Sequence, residues 1–105
     1  MTRKQWCEFS KEERMIIYDR DFCSCIYCGG SFYLGVAHVF ISRAHGGKGC
    51  KENGVLLCSQ HHQILDQGAN TEERIKIRNR CEKYLRTIYG DINVEDFKYE
   101  KWNQF

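Results

Sequence analysis

Two pairs of metal-ligand residues stand out in the chain: Cys25-x-x-Cys28 and Cys58-x-x-His61. A spacing of two residues lets one tight turn aim both side chains of a pair at a single point, and two such pairs supply the four soft or borderline donors of a tetrahedral zinc ion. A site whose four positions are all filled by protein is structural, so this ion is expected to serve folding rather than catalysis. The chain has seven cysteines, and a disulfide framework is the competing reading. The odd count, the absence of an apolar leader in MTRKQWCEFSKEER and the two close pairs favour metal. Cys23 is a rival ligand, but Cys25 has the better spacing to Cys28. Cys81 reads as a core residue, and Cys7 and Cys50 as free thiols without a close partner.

A second set of groups suits catalysis. His62 and Asp66 are four residues apart in a stretch that reads as a short helix from Ser59 to about Gln67, which puts both on one face. An imidazole and a carboxylate placed there can hold one divalent ion, Mg²⁺ or Mn²⁺, with positions left for water and phosphate oxygens. An exposed helix acid is the plainer reading of Asp66. The segments CIYCGG (Cys25 to Gly30), AHVFISRAHGG (Ala37 to Gly47) and ENGVLLCSQHHQILD (Glu52 to Asp66) resemble the HNH endonuclease family, and in particular the short stand-alone HNH proteins of bacteriophages and prophages. The resemblance covers Cys25 to about Gly68 and is loose in the flanks.

The resemblance implies a ββα-metal core, two antiparallel strands and a helix around one catalytic ion, with the name-giving residues at His38, Asn53 and His62. It makes His38 the general base. A neutral imidazole, with an unperturbed pKa of about 6.5, can take a proton from water near neutral pH. A satisfied structural histidine is the alternative. Asn53 is expected to bridge the loop and orient His38 through its amide, although Asn53-Gly54 also reads as a turn dipeptide. The chain departs from the family at two places. Ala37 stands where many relatives carry a metal-binding acid or histidine, which leaves His62 and Asp66 with water and substrate oxygens. His61 replaces a common cysteine, a conservative change for zinc.

The net charge of +2 says little about partners, but its distribution says more. Arg43, Lys48 and Lys51 occupy a glycine-rich loop without an acid between Ser42 and Lys51, which suits contacts to DNA phosphates. Gly46, Gly47 and Gly49 are expected to let backbone amides approach the strand. No recognition helix is evident, so weak sequence preference is expected. The resulting expectation is a metal-dependent endonuclease or nickase acting on DNA. The alternative is a non-catalytic zinc-stabilised module that binds DNA, or a phage or host protein. With no long apolar run and no signal, a cytoplasmic setting in a bacterial or phage-infected cell is expected.

These groups must be positioned by a small α+β fold. The 105 residues, without proline, repeat or linker, read as one domain with a core motif over about 22–68. Ser10-x-x-Glu13 caps a helix over about 11–20. Phe32 to Ile41 reads as a strand, Ser42 to Gly54 as a long loop, and Val55 to Leu57 as a second strand. The helix begun at Ser59 is expected to stop near Gly68. A last amphipathic helix over about 71–89 places Ile77, Cys81, Tyr84, Leu85 and Ile88 on one face and ends at Gly90. The tail from Asp91 is aromatic enough to dock, without a place that the sequence specifies.

Overall fold

Three helices begin with the same device. The Thr2 hydroxyl accepts from the Gln5 amide while the Gln5 side chain bonds back to the Thr2 N–H; Ser10 accepts from Glu13 N, and Thr71 from Arg74 N. Each cap satisfies an amide that the helix itself leaves without a partner. In the computed structural model, which describes residues 1–67 and 70–100, these caps open α1 (Arg3–Cys7), α2 (Lys11–Arg20) and α4 (Glu72–Tyr89). α4 stops at Gly90, whose φ of 74° suits glycine. α3 (Ser59–Asp66) follows a strand directly, with Cys58 as its N-cap and Gln67 as its C-cap. The stop expected near Gly68 lies outside the described residues.

The strands β1 (Leu34–His38) and β2 (Gly54–Cys58) pair antiparallel, with Leu34 opposite Cys58 and His38 opposite Gly54. β1 is shorter than the ten-residue stretch the composition suggested, and both ends have a cause. Tyr33 takes a positive φ of 52°, which breaks the extended run before Leu34. Beyond His38, the Phe40 and Ile41 amides are captured by the Asn53 side chain, so no ladder can continue there.

The alternation of the strands divides the core. Ala37, Val55 and Leu57 face α3 and α4 and pack in one cluster with Leu65, Ile77, Cys81 and Leu85. Leu56 faces the other way and packs with Phe9 and Ile17. Of the expected apolar face of α4, Ile77, Cys81 and Leu85 are buried and Tyr84 is half-buried, whereas Ile88 is exposed. The tail docks through a 3₁₀ turn, Val94–Phe97, which buries Phe97 beside Phe40. No helix among the described residues is long and apolar enough to cross a membrane.

One buried carboxylate ties three elements together. Asp21 is 4% exposed and accepts a two-pronged bond from Arg20, a bond from Leu56 N of β2 and a 2.6 Å bond from the Tyr84 hydroxyl of α4. Arg20 also donates to the Lys51 and Gly54 carbonyls and to Tyr89. Burial and Asp21 push the Tyr84 hydroxyl up to about 12, so it remains a donor at neutral pH. Asp21→Ala would leave the half-buried Arg20 guanidinium without its carboxylate and is expected to cost about 3–5 kcal/mol. Tyr84→Phe should cost about 1–2 kcal/mol. Urea denaturation measures both, and equal, small losses would contradict the clasp.

Candidate functional site

The metal-ligand pairs meet as their spacing demands. Cys25, Cys28, Cys58 and His61 bring their donor atoms within 4.8 Å of one another, an arrangement that could hold a metal ion such as zinc. Among the described residues this is the one group of three or more such side chains so placed. Cys28 Sγ is 3.9 Å from Cys58 Sγ, and His61 Nδ1 is 3.2 Å from Cys58 Sγ and 3.8 Å from Cys25 Sγ. The first pair sits in a turn closed by Cys25 N to Gly30 O and Gly29 N to Cys25 O, each 2.8 Å, with Gly29 at a φ of 78°. The second pair spans the end of β2 and the first turn of α3.

The electrostatics fit a cation. Burial works to raise the Cys25 thiol, but the amides of Cys28, Cys58 and Tyr27 and the His61 ring outweigh it and bring it down to about 6. The Gly30 amide favours the Cys28 thiolate, yet desolvation and the Cys25 and Cys58 sulfurs push that thiol up. A Cys25 thiolate held beside two further sulfurs and an imidazole would be stabilised by a positive charge among them. The other cysteines stand apart: Cys23 is exposed, and Cys7, Cys50 and Cys81 are buried. Burial raises Cys50 to about 11 and Cys81 to about 12, which keeps both as thiols.

α3 carries more than His61 of the Cys/His cluster. The residue after His61 is His62, whose Nε2 lies 2.9 Å from Asp66 Oδ2 one turn later. The His62 ring rests against Gly35 of β1, where a Cβ would stand 3.2 Å from Nδ1. His62 and Asp66 line a cleft of about 980 Å³ together with His38, the last residue of β1. Three residues singled out for chemistry therefore share one cleft.

His38 is held on two sides. Its ring lies 4.6 Å from that of Phe9, which has room because the residue opposite His38 is Gly54; a Cβ there would come within 2.5 Å of the Phe9 ring. Its Nε2 is 2.8 Å from the Cys7 carbonyl oxygen. A carbonyl only accepts, so Nε2 carries the proton and Nδ1 keeps its lone pair in the neutral ring. Burial lowers the His38 pKa below its ordinary value, opposed by the Cys7 bond and reinforced by the Arg43 charge.

Asn53 is fully buried, and its amide serves the main chain rather than the imidazole. Oδ1 accepts from Phe40 N and Ile41 N, and Nδ2 donates to the Ile41 and Lys48 carbonyls. The Asn53 carbonyl accepts from Val39 N, next to His38. The expected bridge across the loop is present; the expected amide contact to the His38 ring is replaced by this main-chain pinning. Gly54 is extended, at φ −135° and ψ 143°, so it is not the second half of a turn.

The basic loop is placed differently from expectation. Arg43 lines the cleft. Lys48 stacks over Trp6 at 5.0 Å, and Lys51 pairs with Glu52 at 3.4 Å, neither of them in the cleft lining. The cleft instead gains Lys11, Arg14 and Arg74, from helices outside the motif. Glu8 also lines it, 4.0 Å from Lys4. The loop glycines serve internal packing: a Cβ on Gly47 would collide with the Ile41 carbonyl, and one on Gly49 with Glu8. Their amides donate to Ser42 and Trp6, and that of Lys48 to Phe97, so they are not offered to a ligand.

Metal content gives the first check. The purified chain is expected to hold about one zinc ion, and Cys58→Ala to lose it together with most of its cooperative unfolding. Zinc analysis and thermal melts measure this; a metal-free chain that melts cooperatively at the same temperature would contradict a structural ion. Comparison with protein-family models, curated proteins and solved structures finds no match.

Proposed function

We propose that this chain is a metal-dependent endonuclease of the HNH type, hydrolysing phosphodiester bonds of DNA at the cleft between β1 and α3. The observation that carries this reading is the state of His38. Its Nε2 proton is committed to Cys7, its burial disfavours the imidazolium, and its ring shares a cleft with the His62–Asp66 pair. The ring is thus a base with a free lone pair at Nδ1.

His38 Nδ1 takes a proton from water as that water attacks phosphorus. The P–O bond to the 3′ oxygen breaks, and the departing oxygen is protonated from solvent. His62 and Asp66 would hold Mg²⁺ or Mn²⁺; one imidazole nitrogen and one carboxylate oxygen 2.9 Å apart are a suitable donor set. Such an ion, when bound, supplies charge stabilisation at the phosphoryl and leaving oxygens. Arg43 adds a fixed positive charge on the same side as His38. Asn53, by pinning residues 39–41, sets where β1 ends and therefore where His38 stands. In this reading the Cys/His ion holds α3 against the sheet, and DNA is the partner.

Ala37 favours a second reading, a zinc-stabilised module that binds DNA or protein without cutting. It is fully buried among Val55, Leu57 and Leu65 and brings no ligand to the cleft. Nicking of supercoiled plasmid separates the two. The nuclease reading expects nicked or linear product with Mg²⁺ or Mn²⁺, and a loss of at least about 100-fold in His38→Ala, the scale of general-base catalysis. Intact plasmid with both metals at high protein concentration would sink it.

The pH profile follows from the lowered His38 pKa. Only the neutral ring accepts a proton, so the rate should rise with pH on a limb whose midpoint lies below about 6.5, then level off through neutrality. A midpoint well above 7 in initial-rate measurements would contradict the buried-base assignment.

A further inference from the structure

Two arginines reach the cleft from outside β1, β2 and α3, and each is pinned without being neutralised. Arg14, on α2, donates from Nε to the Phe9 carbonyl at 3.3 Å. Arg74, on α4, donates from Nε to the Leu65 carbonyl at 3.0 Å. A guanidinium carries five N–H donors in one plane, so each of these bonds uses one donor, fixes the fork and leaves four on Nη1 and Nη2. Among the described residues neither head has a carboxylate within ion-pair distance. Arg20 and Arg78 are instead neutralised by Asp21 and Glu82, and Arg80 and Arg86 stack over the rings of Tyr27 and Phe40, outside the lining of this cleft.

Held forks with free paired donors match two oxygens of a phosphate, and a fork already fixed loses little freedom on binding. Arg43 also lines the cleft, where its charge works against protonation of His38. Arg14 and Arg74 come from different helices, and a cleft of about 980 Å³ is far larger than one phosphate needs. Resting on the hydrolytic reading above, we infer that Arg14 and Arg74 clamp the backbone phosphates on either side of the scissile one. The substrate class is then a polynucleotide engaged through at least three consecutive phosphates, not a single phosphodiester. Phosphates repeat regardless of base, so this clamp gives grip and register without sequence preference.

The test uses the full zinc-loaded chain and a fluorescently labelled DNA duplex, with anisotropy read from 50 to 200 mM KCl and no added Mg²⁺ or Mn²⁺. Arg14→Gln and Arg74→Gln should each flatten the log–log salt dependence by about 0.9, and the double variant should bind at least about tenfold more weakly at the lower salt. Arg14→Lys and Arg74→Lys keep the charge without the pinned fork and should retain the slope while binding more weakly. In parallel, kcat/KM with Mn²⁺ is measured on the duplex and on bis(4-nitrophenyl) phosphate, which has one phosphorus. The double glutamine variant should lose at least about ten times more on DNA than on the ester. Unchanged salt slopes, or equal losses on both substrates, overturn the clamp and leave the nuclease reading standing if wild type cuts. If wild type cuts neither substrate, the nuclease reading falls, and the salt slopes alone decide whether the arginines hold a phosphate backbone.

Discussion

A carbonyl oxygen has no proton to give, and the state of the His38 ring depends on that fact. The Cys7 carbonyl, 2.8 Å from His38 Nε2, fixes which ring nitrogen is protonated and which can act as a base. It also makes the N-terminal helix part of the site. α1 has only five residues, too few to be stable alone, and it is held by Trp6, whose Nε1 donates to the Gly46 and Phe97 carbonyls. The loop after β1, the docked tail and the first helix therefore converge on the carbonyl that sets the tautomer of one imidazole.

The remaining geometry serves the same end from the other side of the ring. Gly54 leaves the space in which Phe9 covers His38, and burial lowers the pKa of that ring. Asn53 ends the ladder after His38 by taking the next amides for itself. α3 carries His61 of the Cys/His cluster, His62 and Asp66 within two turns, so whatever holds His61 also orients the pair that faces the cleft. The cleft is thus framed by polar pins at His38 and Asn53 on top of the packed core.

Much of this was legible in the residues. Ligand spacing found the Cys25, Cys28, Cys58 and His61 cluster, composition found both strands while overrunning the first, and caps at Ser10 and Thr71 with a stop at Gly90 found two helices. What escaped was tertiary. α1 is too short for periodicity, although Thr2-x-x-Gln5 is a capping-box signal that was there to be read. Besides Arg43, the cleft cations Lys11, Arg14 and Arg74 come from α2 and α4, outside the motif, while Lys48 and Lys51, inside it, turn to Trp6 and Glu52. Glycines 47 and 49 looked like openings for a ligand and are sites where the chain meets itself. Local spacing reports which side chains share a turn; it does not report which neighbour claims a donor.

The tautomer of His38 can be read directly. Nitrogen-15 chemical shifts of the imidazoles, recorded through a pH titration and assigned with His38→Gln, distinguish a protonated Nε2 from a protonated Nδ1. At pH 7.5 the ring is expected to be neutral with its proton on Nε2 and an unprotonated Nδ1, becoming charged only below the ordinary imidazole value of about 6.5. A ring protonated on Nδ1, or already an imidazolium at neutral pH, would contradict it.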